Sequence, residues 1–351
     1  MYGRRVASTQ SLIKPYQRQR SPQRVGAGLR FDRCVPRGLV HRRALAEVLI
    51  TDTAEVAEDE FLLGTQLPRA HSLWSDRRSP YHDPLITVEI ARQACLALPQ
   101  RYYSVPQGWH FISQRIDFTV ASLESYTDAN GSPPEGILRA RFTNKRKRDG
   151  MLTGLSLESE MTIDGELAAS ISGDLMFLPP VTYNEMRAAK RSRRPSGGVM
   201  PRIVPRTLAP ALVGRFLESN VVLEDRASSD TPTGERRFTV VVDYNHPYFF
   251  DHGQDHVPGQ LLVEAYRQAA VATASRERAL APAATVLTGC QVAFADFAEL
   301  DSPIECSAML SDQLGERSFR LTLALHQLDT VIGEAQVDLS FLGATDHTQL
   351  R

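Results

Sequence analysis

Apolar and polar residues alternate in strict period two along much of this chain. In the second half the pattern runs through "RFTVVVDY" (237–244), "TGCQVAFADF" (288–297), "IECSAML" (304–310), "FRLTLALHQLD" (319–329) and "IGEAQVDLSFL" (332–342). The first half shows the same rhythm in "FLLGTQL" (61–67), "HFISQRIDFTVA" (110–121), "ILRARFTN" (137–144), "LTGLSLESEMTIDG" (152–165) and "LAASISGDLMFL" (167–178). Alternation of this kind predicts half-buried antiparallel strands, closed by hairpin turns such as "SDQLGE" (311–316). One segment per half breaks the rhythm. "LLVEAYRQAAVATA" (261–274) is apolar, has small residues at 265, 269 and 270, and contains neither Gly nor Pro. It follows Pro258-Gly259, a usual helix start, and predicts one long helix. One helix wrapped by a curled antiparallel sheet, twice over, is an α+β pseudo-dimer.

The two halves are copies. At an offset of 175, His71–Ala94 and His246–Ala269 match at seven of 24 positions without a gap. The matches include His71/His246, Asp76/Asp251 and Val-Glu-x-x-Arg-Gln-Ala at 88–94 and 263–269. "VPR" precedes each segment (35–37 and 204–206), and "DLMFL" (174–178) and "DLSFL" (338–342) follow them. Four matches in the same order establish a tandem repeat. The expected organisation is a basic arm over 1–31, an N-terminal domain over 32–184, a linker over 185–203 and a C-terminal domain over 204–351.

Composition changes this picture little. The net charge is −1 over 351 residues, which carries no nucleic-acid or membrane signature. Residues 1–31 hold seven Lys/Arg and no acid, and read as a disordered arm. "KRSRR" (190–194) and "NKRKRDG" (144–150) read as a solvated linker and a charged hairpin tip. No stretch approaches the length of a membrane helix, and there is no signal-peptide core. Cys34, Cys95, Cys290 and Cys306 lack C-x-x-C spacing, so buried inert thiols in a reducing cytoplasm are expected.

The candidate chemistry sits on the helix and its lead-in. Glu264, Arg267 and Gln268 share a helix face by their i, i+3, i+4 spacing, and Glu89, Arg92 and Gln93 repeat them. Pro258-Gly259 brings bare N–H groups of a helix start close by, where developing negative charge is stabilised. A carboxylate beside such donors is the layout of a general base next to an oxyanion site. His71 and His246 read as hydrogen-bonders that fix a turn. His252 and His256 are candidates for substrate contact; a metal site is not expected, since Arg77 and Tyr81 replace them in the first copy.

"FFDHGQDHVPGQLLVEA" (249–265) resembles the signature of hotdog β-hydroxyacyl-ACP dehydratases, although His252 and Glu264 lie closer together than in that family. "VPRGLVHRRALAEVLITD" (35–52), "LPRAHSLWSD" (67–76), "DPLITVEIARQA" (83–94), "VPQGWHFI" (105–112) and "DHVPGQLLVEAYRQAA" (255–270) together resemble the A-factor biosynthesis (AfsA-type) family of actinomycetes. The resemblance implies a tandem hotdog fold. It also implies an acyltransferase that joins a β-ketoacyl chain, carried on acyl carrier protein, to the hydroxyl of dihydroxyacetone phosphate, giving the precursor of a γ-butyrolactone, butenolide or furan signal. On that basis the C-terminal site is the expected one. Glu264 would be the base, backbone N–H groups at Gly259 and Gln260 would hold the oxyanion, and Arg267 would bind phosphate or orient Glu264. Glu89 and Arg92 would line the equivalent pocket, and Gln268, His252 and His256 would contact substrate. No cofactor is implied, and a homodimer is left open. A dehydratase or thioesterase, a lactone-binding protein and a carrier scaffold are the alternatives.

Overall fold

The computed structural model describes residues 28–77, 80–127, 131–194, 206–225 and 234–342. Most of the basic arm and residues 195–203 of the expected linker therefore lie outside the described residues.

Twelve strands form one antiparallel sheet. The first half supplies β1 (Ile50–Ala57), β2 (Glu60–Gln66), β3 (His110–Val120), β4 (Glu135–Arg148), β5 (Met151–Ile163) and β6 (Glu166–Leu178). The second supplies β7 (Leu223–Asp225), β8 (Arg236–Val240), β9 (Thr285–Phe294), β10 (Glu305–Gly315), β11 (Ser318–Gln327) and β12 (Thr330–Phe341). The spatial order is β1-β2-β4-β5-β6-β3-β9-β12-β11-β10-β8-β7. Each half thus keeps six neighbouring strands, and the halves join where β3 pairs antiparallel with β9, from Arg115↔Ala293 to Thr119↔Gly289. The alternation read from sequence is the alternation of burial, as along β11, where every second residue is buried.

Each half-sheet curls round a helix. α1 (Leu85–Tyr102) and α3 (Gly259–Arg278) are the segments that broke the period-two rhythm. Both are buried nearly all round, because the sheet covers one side and short lead-in turns of the same half (Arg37–Val40 on α1, Pro210–Val213 on α3) pack on another. α3 begins after Pro258, whose fixed φ suits a helix start and whose missing N–H is no loss there.

One expectation is corrected. Residues 185–192, read as the start of a linker, belong to a third helix, α2 (Pro180–Ser192). Pro180 at its first turn starts it, and tertiary ion pairs hold it against the second half. Arg187 is buried and donates to Glu299 at 2.5 and 2.9 Å and to Asp255 Oδ2 at 3.2 Å. Lys190 meets Asp296 at 2.7 Å, so part of "KRSRR" is neutralised rather than solvated. "NKRKRDG" does close the β4–β5 hairpin, with Asp149 and Gly150 both at positive φ.

Candidate active site

The two polar trios are buried except for Arg92, which is half-buried. Gln268 is fully buried: its amide donates to Asn220 O at 2.7 Å and Glu264 Oε1 at 2.6 Å, and its oxygen accepts Val222 N–H at 3.0 Å. Gln93 does the same to Glu47 O, Glu89 Oε1 and Leu49 N–H. Each glutamine therefore pins the chain that leads into its own domain onto the helix, supplying partners that buried backbone groups require.

Each glutamate lies between two arginines, one of which sequence reasoning missed. Glu264 accepts from Arg267 at 2.6 and 2.9 Å and from Arg215 at 2.9 and 3.1 Å. Glu89 accepts from Arg92 at 2.7 and 2.8 Å and from Arg42 at 2.8 Å. The only sequence signal for Arg42 and Arg215 is their shared spacing of 173, visible once "HRR" and "GRF" are set against each other. Burial alone would raise the Glu264 carboxyl, but Arg215 and Arg267 overcome it and hold the group down at about 2. Glu89 is likewise held below the usual carboxylate range by Arg42 and Arg92, against the cost of burial. A carboxylate so well matched to guanidinium groups is a weak proton acceptor at neutral pH. The expected base, Glu264, thus has its lone pairs engaged by Arg215, Arg267 and Gln268.

The lead-in loops staple the halves together. His71 Nδ1 accepts Leu73 and Trp74 N–H while Nε2 meets Glu47; His246 does the same with Tyr248, Phe249 and Asn220. The next repeated residue crosses over. Asp76 accepts the N–H groups of Phe216 and Leu217 in the second half, and Asp251 accepts those of Arg43 and Ala44 in the first.

This crossing makes each site composite. The loop of the second half, with the α3 N-terminus, faces the Glu89–Arg92 pair of α1; the loop of the first half faces Glu264 and Arg267. The two sites differ greatly in room. A cavity of about 730 Å³ is lined by Glu89 and Arg92, by His252, His256, Gly259 and Gln260, and by Glu264 at its edge. Its equivalent, lined by Tyr81, Asp83, Gly214 and Arg267, is about 40 Å³. The open cavity runs between α1 (Val88, Ala91, Cys95) and the inner face of β5 and β6 (Leu157, Ile171, Leu175), which suits an alkyl chain. Of the sequence-derived candidates, Arg267 and Gln268 do not line it, and their expected substrate contacts are corrected. Arg267 is sealed because its Nη1 donates to Val213 O at 3.2 Å and its side chain is 8% exposed. The Arg92 side chain is 28% exposed.

Four histidines line the same cavity: His41, His110, His252 and His256. His256 is held by Asp255 at 2.7 Å, and Tyr183 of α2 donates to the same carboxylate. His110 stacks on Tyr183 with ring centroids 3.7 Å apart. His252 lies 3.5 Å from Asp251 through Nδ1 and 2.9 Å from Gln254 through Nε2. Burial lowers its pKa, Asp251 opposes that, and the charges of Arg42 and Arg92 lower it further. His252 is thus neutral at physiological pH, with a carboxylate behind it. Sequence reading missed His41, His110 and Tyr183; nothing local marks them, since they enter from three separate elements.

Two half-sheets, each wrapped round one long helix and joined edge to edge, make this a tandem hotdog protein with one open acyl-sized cavity. The chain belongs to the AfsA family: residues 28–179 and 200–343 match its A-factor biosynthesis hotdog domain. The 2-oxo-3-(phosphooxy)propyl 3-oxoalkanoate synthase of Streptomyces virginiae is 34% identical over 301 residues, covering 85% of this chain and 95% of that protein. The synthase of the same name from Streptomyces coelicolor is 30% identical, over 77% of this chain and 80% of its own length. Among solved structures, an oleoyl thioesterase from Lactobacillus plantarum superposes with a TM-score of 0.50 at 12% identity, covering 81% of this chain and 97% of that one. At that identity the likeness is one of fold alone.

Proposed function

We propose that this chain is a 2-oxo-3-(phosphooxy)propyl 3-oxoalkanoate synthase, transferring a 3-oxoacyl group from a thioester to the primary hydroxyl of dihydroxyacetone phosphate. The product named for the relatives is the ester of those two parts. The observation that carries the reading is the joining, in one cavity, of an apolar channel along α1, the N-terminus of α3 and the outward edge of Arg92. We take acyl carrier protein as the donor's carrier. The thioester on acyl carrier protein compared with the coenzyme A thioester tests that choice.

The chemistry follows from the groups present. The first N–H groups of α3, at Gly259 and Gln260, have no acceptor within the helix and carry its positive dipole end. They polarise the thioester carbonyl and hold the oxyanion of the tetrahedral intermediate. His252, backed by Asp251, accepts the proton of the acceptor hydroxyl as its oxygen attacks the thioester carbon; Gln254 occupies the position that hydroxyl takes. Collapse breaks the C–S bond, and the thiolate leaves with the proton from the imidazolium. No acyl-enzyme is needed. Cys95, the one thiol lining the cavity, is pushed up to about 12 by burial and stays protonated.

Mass spectrometry of a reaction containing a 3-oxoacyl thioester and dihydroxyacetone phosphate tests the reading. A phosphate-bearing ester, lost in His252→Asn, supports it. Free 3-oxo acid with no adduct means hydrolysis, and a dehydrated thioester means lyase chemistry; either outcome defeats it.

A further inference from the structure

The two arginines that follow the repeated glutamates are equivalent in sequence and unequal in what they still offer. Arg267 uses Nε and Nη2 on Glu264 and Nη1 on Val213 O. Arg92 uses Nε and Nη2 on Glu89, and among the described residues its Nη1 donates to nothing in the protein. That nitrogen belongs to the side chain that opens onto the 730 Å³ cavity.

A second difference lies one residue before each partner arginine. Gly214 precedes Arg215 at φ 72, the left-handed conformation a glycine takes without strain. A Cβ there would come 3.2 Å from Pro282 O and 3.9 Å from Arg267 Nη1. His41 precedes Arg42 in the same conformation, φ 50 and ψ 48, where a side chain is disfavoured. Its ring packs edge-on against Phe111, lines the cavity, and makes no hydrogen bond among the described residues. Burial, then the charges of Arg92, His252 and His110, hold it down at about 4. Where one half has a glycine, the other has an unpartnered imidazole, lining the same cavity as an unpartnered guanidinium N–H.

We propose that His41 and Arg92 form the phosphate subsite of this cavity, taking the phosphate monoester of the acceptor. Arg92 Nη1 supplies a charged donor and His41 a neutral N–H, and both side chains line the one cavity. The carboxylate of Glu89 keeps the guanidinium plane fixed, so little order is lost on binding. The inference rests on the reading of the acceptor as a phosphorylated triose, and assigns residues that hold its phosphate.

The test compares dihydroxyacetone phosphate with unphosphorylated dihydroxyacetone as acceptor. In His41→Asn, which tolerates the left-handed backbone, and in His41→Gly, which matches the second half, the KM for dihydroxyacetone phosphate rises about tenfold or more. The KM for the thioester does not follow, and the preference for the phosphorylated acceptor shrinks by a similar factor. Circular dichroism confirms that both variants fold. A folded His41 variant that keeps the wild-type preference overturns the proposal. An NMR titration of the histidine resonances with inorganic phosphate separates this failure from that of the transferase reading. If neither acceptor yields an ester, the function is wrong. A His41 resonance that still moves with phosphate and is absent in His41→Asn then supports the subsite, whereas one that stays still overturns it as well.

Discussion

Asp76, in the first half of the chain, accepts the backbone N–H of Phe216, in the second half, at 2.8 Å. The same carboxylate takes Leu217 N–H and Asn220 Nδ2, and it is buried. Asp251 returns the contact to Arg43 and Ala44. Each half is thus completed by a side chain of the other.

Removing that carboxylate takes away an acceptor shared by three donors, of which Asn220 Nδ2 keeps Ser72 O. Hydrogen bonds to a charged partner contribute about 1.5–3 kcal/mol each, with losses less than additive. Asp76→Ala is expected to lower unfolding stability by about 3–5 kcal/mol in a urea titration followed by circular dichroism. A loss below about 1 kcal/mol would show that water replaces the carboxylate easily.

Glu264→Gln is expected to act on folding. It takes the carboxylate from Arg267 and leaves Arg215 with Asp83 at 3.2 Å, and breaking a buried pair costs about 3–5 kcal/mol. A variant that keeps wild-type stability while losing activity a hundredfold would instead restore Glu264 to the chemistry.

The same ion pairs set an acid limit. The Glu264 carboxyl falls from 4.5 when unfolded to about 2 when folded, and Glu89 is shifted in the same direction. Their contribution is complete above the unfolded value and is lost as pH falls through the folded one. Stability is expected to drop between pH 4.5 and 2, and the slope to flatten in Glu264→Gln, measured by denaturation at stepped pH.

His252 must be neutral to take a proton. Burial, together with Arg42 and Arg92, moves its pKa below the ordinary 6.5, so the acid limb of kcat/KM should fall below that value. His252→Asn should reduce kcat by roughly 10²–10⁴ with little change in thioester binding. A limb at or above pH 7 would point to another base.

Chain length should be read along α1. Cys95 lines the cavity opposite β5 and β6, so Cys95→Phe fills the channel rather than the reacting end. Turnover of long 3-oxoacyl thioesters is expected to fall about tenfold or more relative to short ones, in line with a methylene's effect of about 10–200-fold. Equal loss for all lengths would place the chain elsewhere.

The sequence by itself determined the duplicated architecture. Period-two alternation and one unbroken apolar stretch per half are local consequences of burying one face of a strand or most of a helix. Strands β2–β6 and β8–β12 and both long helices were therefore legible. The missed elements, β1, β7 and α2, are the two edge strands of the sheet and a helix held by ion pairs with distant residues. The sequence also put Glu89, Arg92, His252, Gly259 and Gln260 at the site, because a repeated motif and a Pro-Gly helix start carry their own signal. Only the tertiary structure decided which half keeps an open cavity. Asp76 and Asp251 cross between the halves, so the loop of one half serves the helix of the other. Neither copy's motif could be read as a site alone. Gly214 then lets Arg267 pack against Val213 and Pro282 and close one cavity, while His41 and Arg92 stay open in the other. Two identical Glu-x-x-Arg-Gln motifs thus end as a sealed clamp and as part of a cavity wall, because their surroundings come from residues some 50 and 170 positions away.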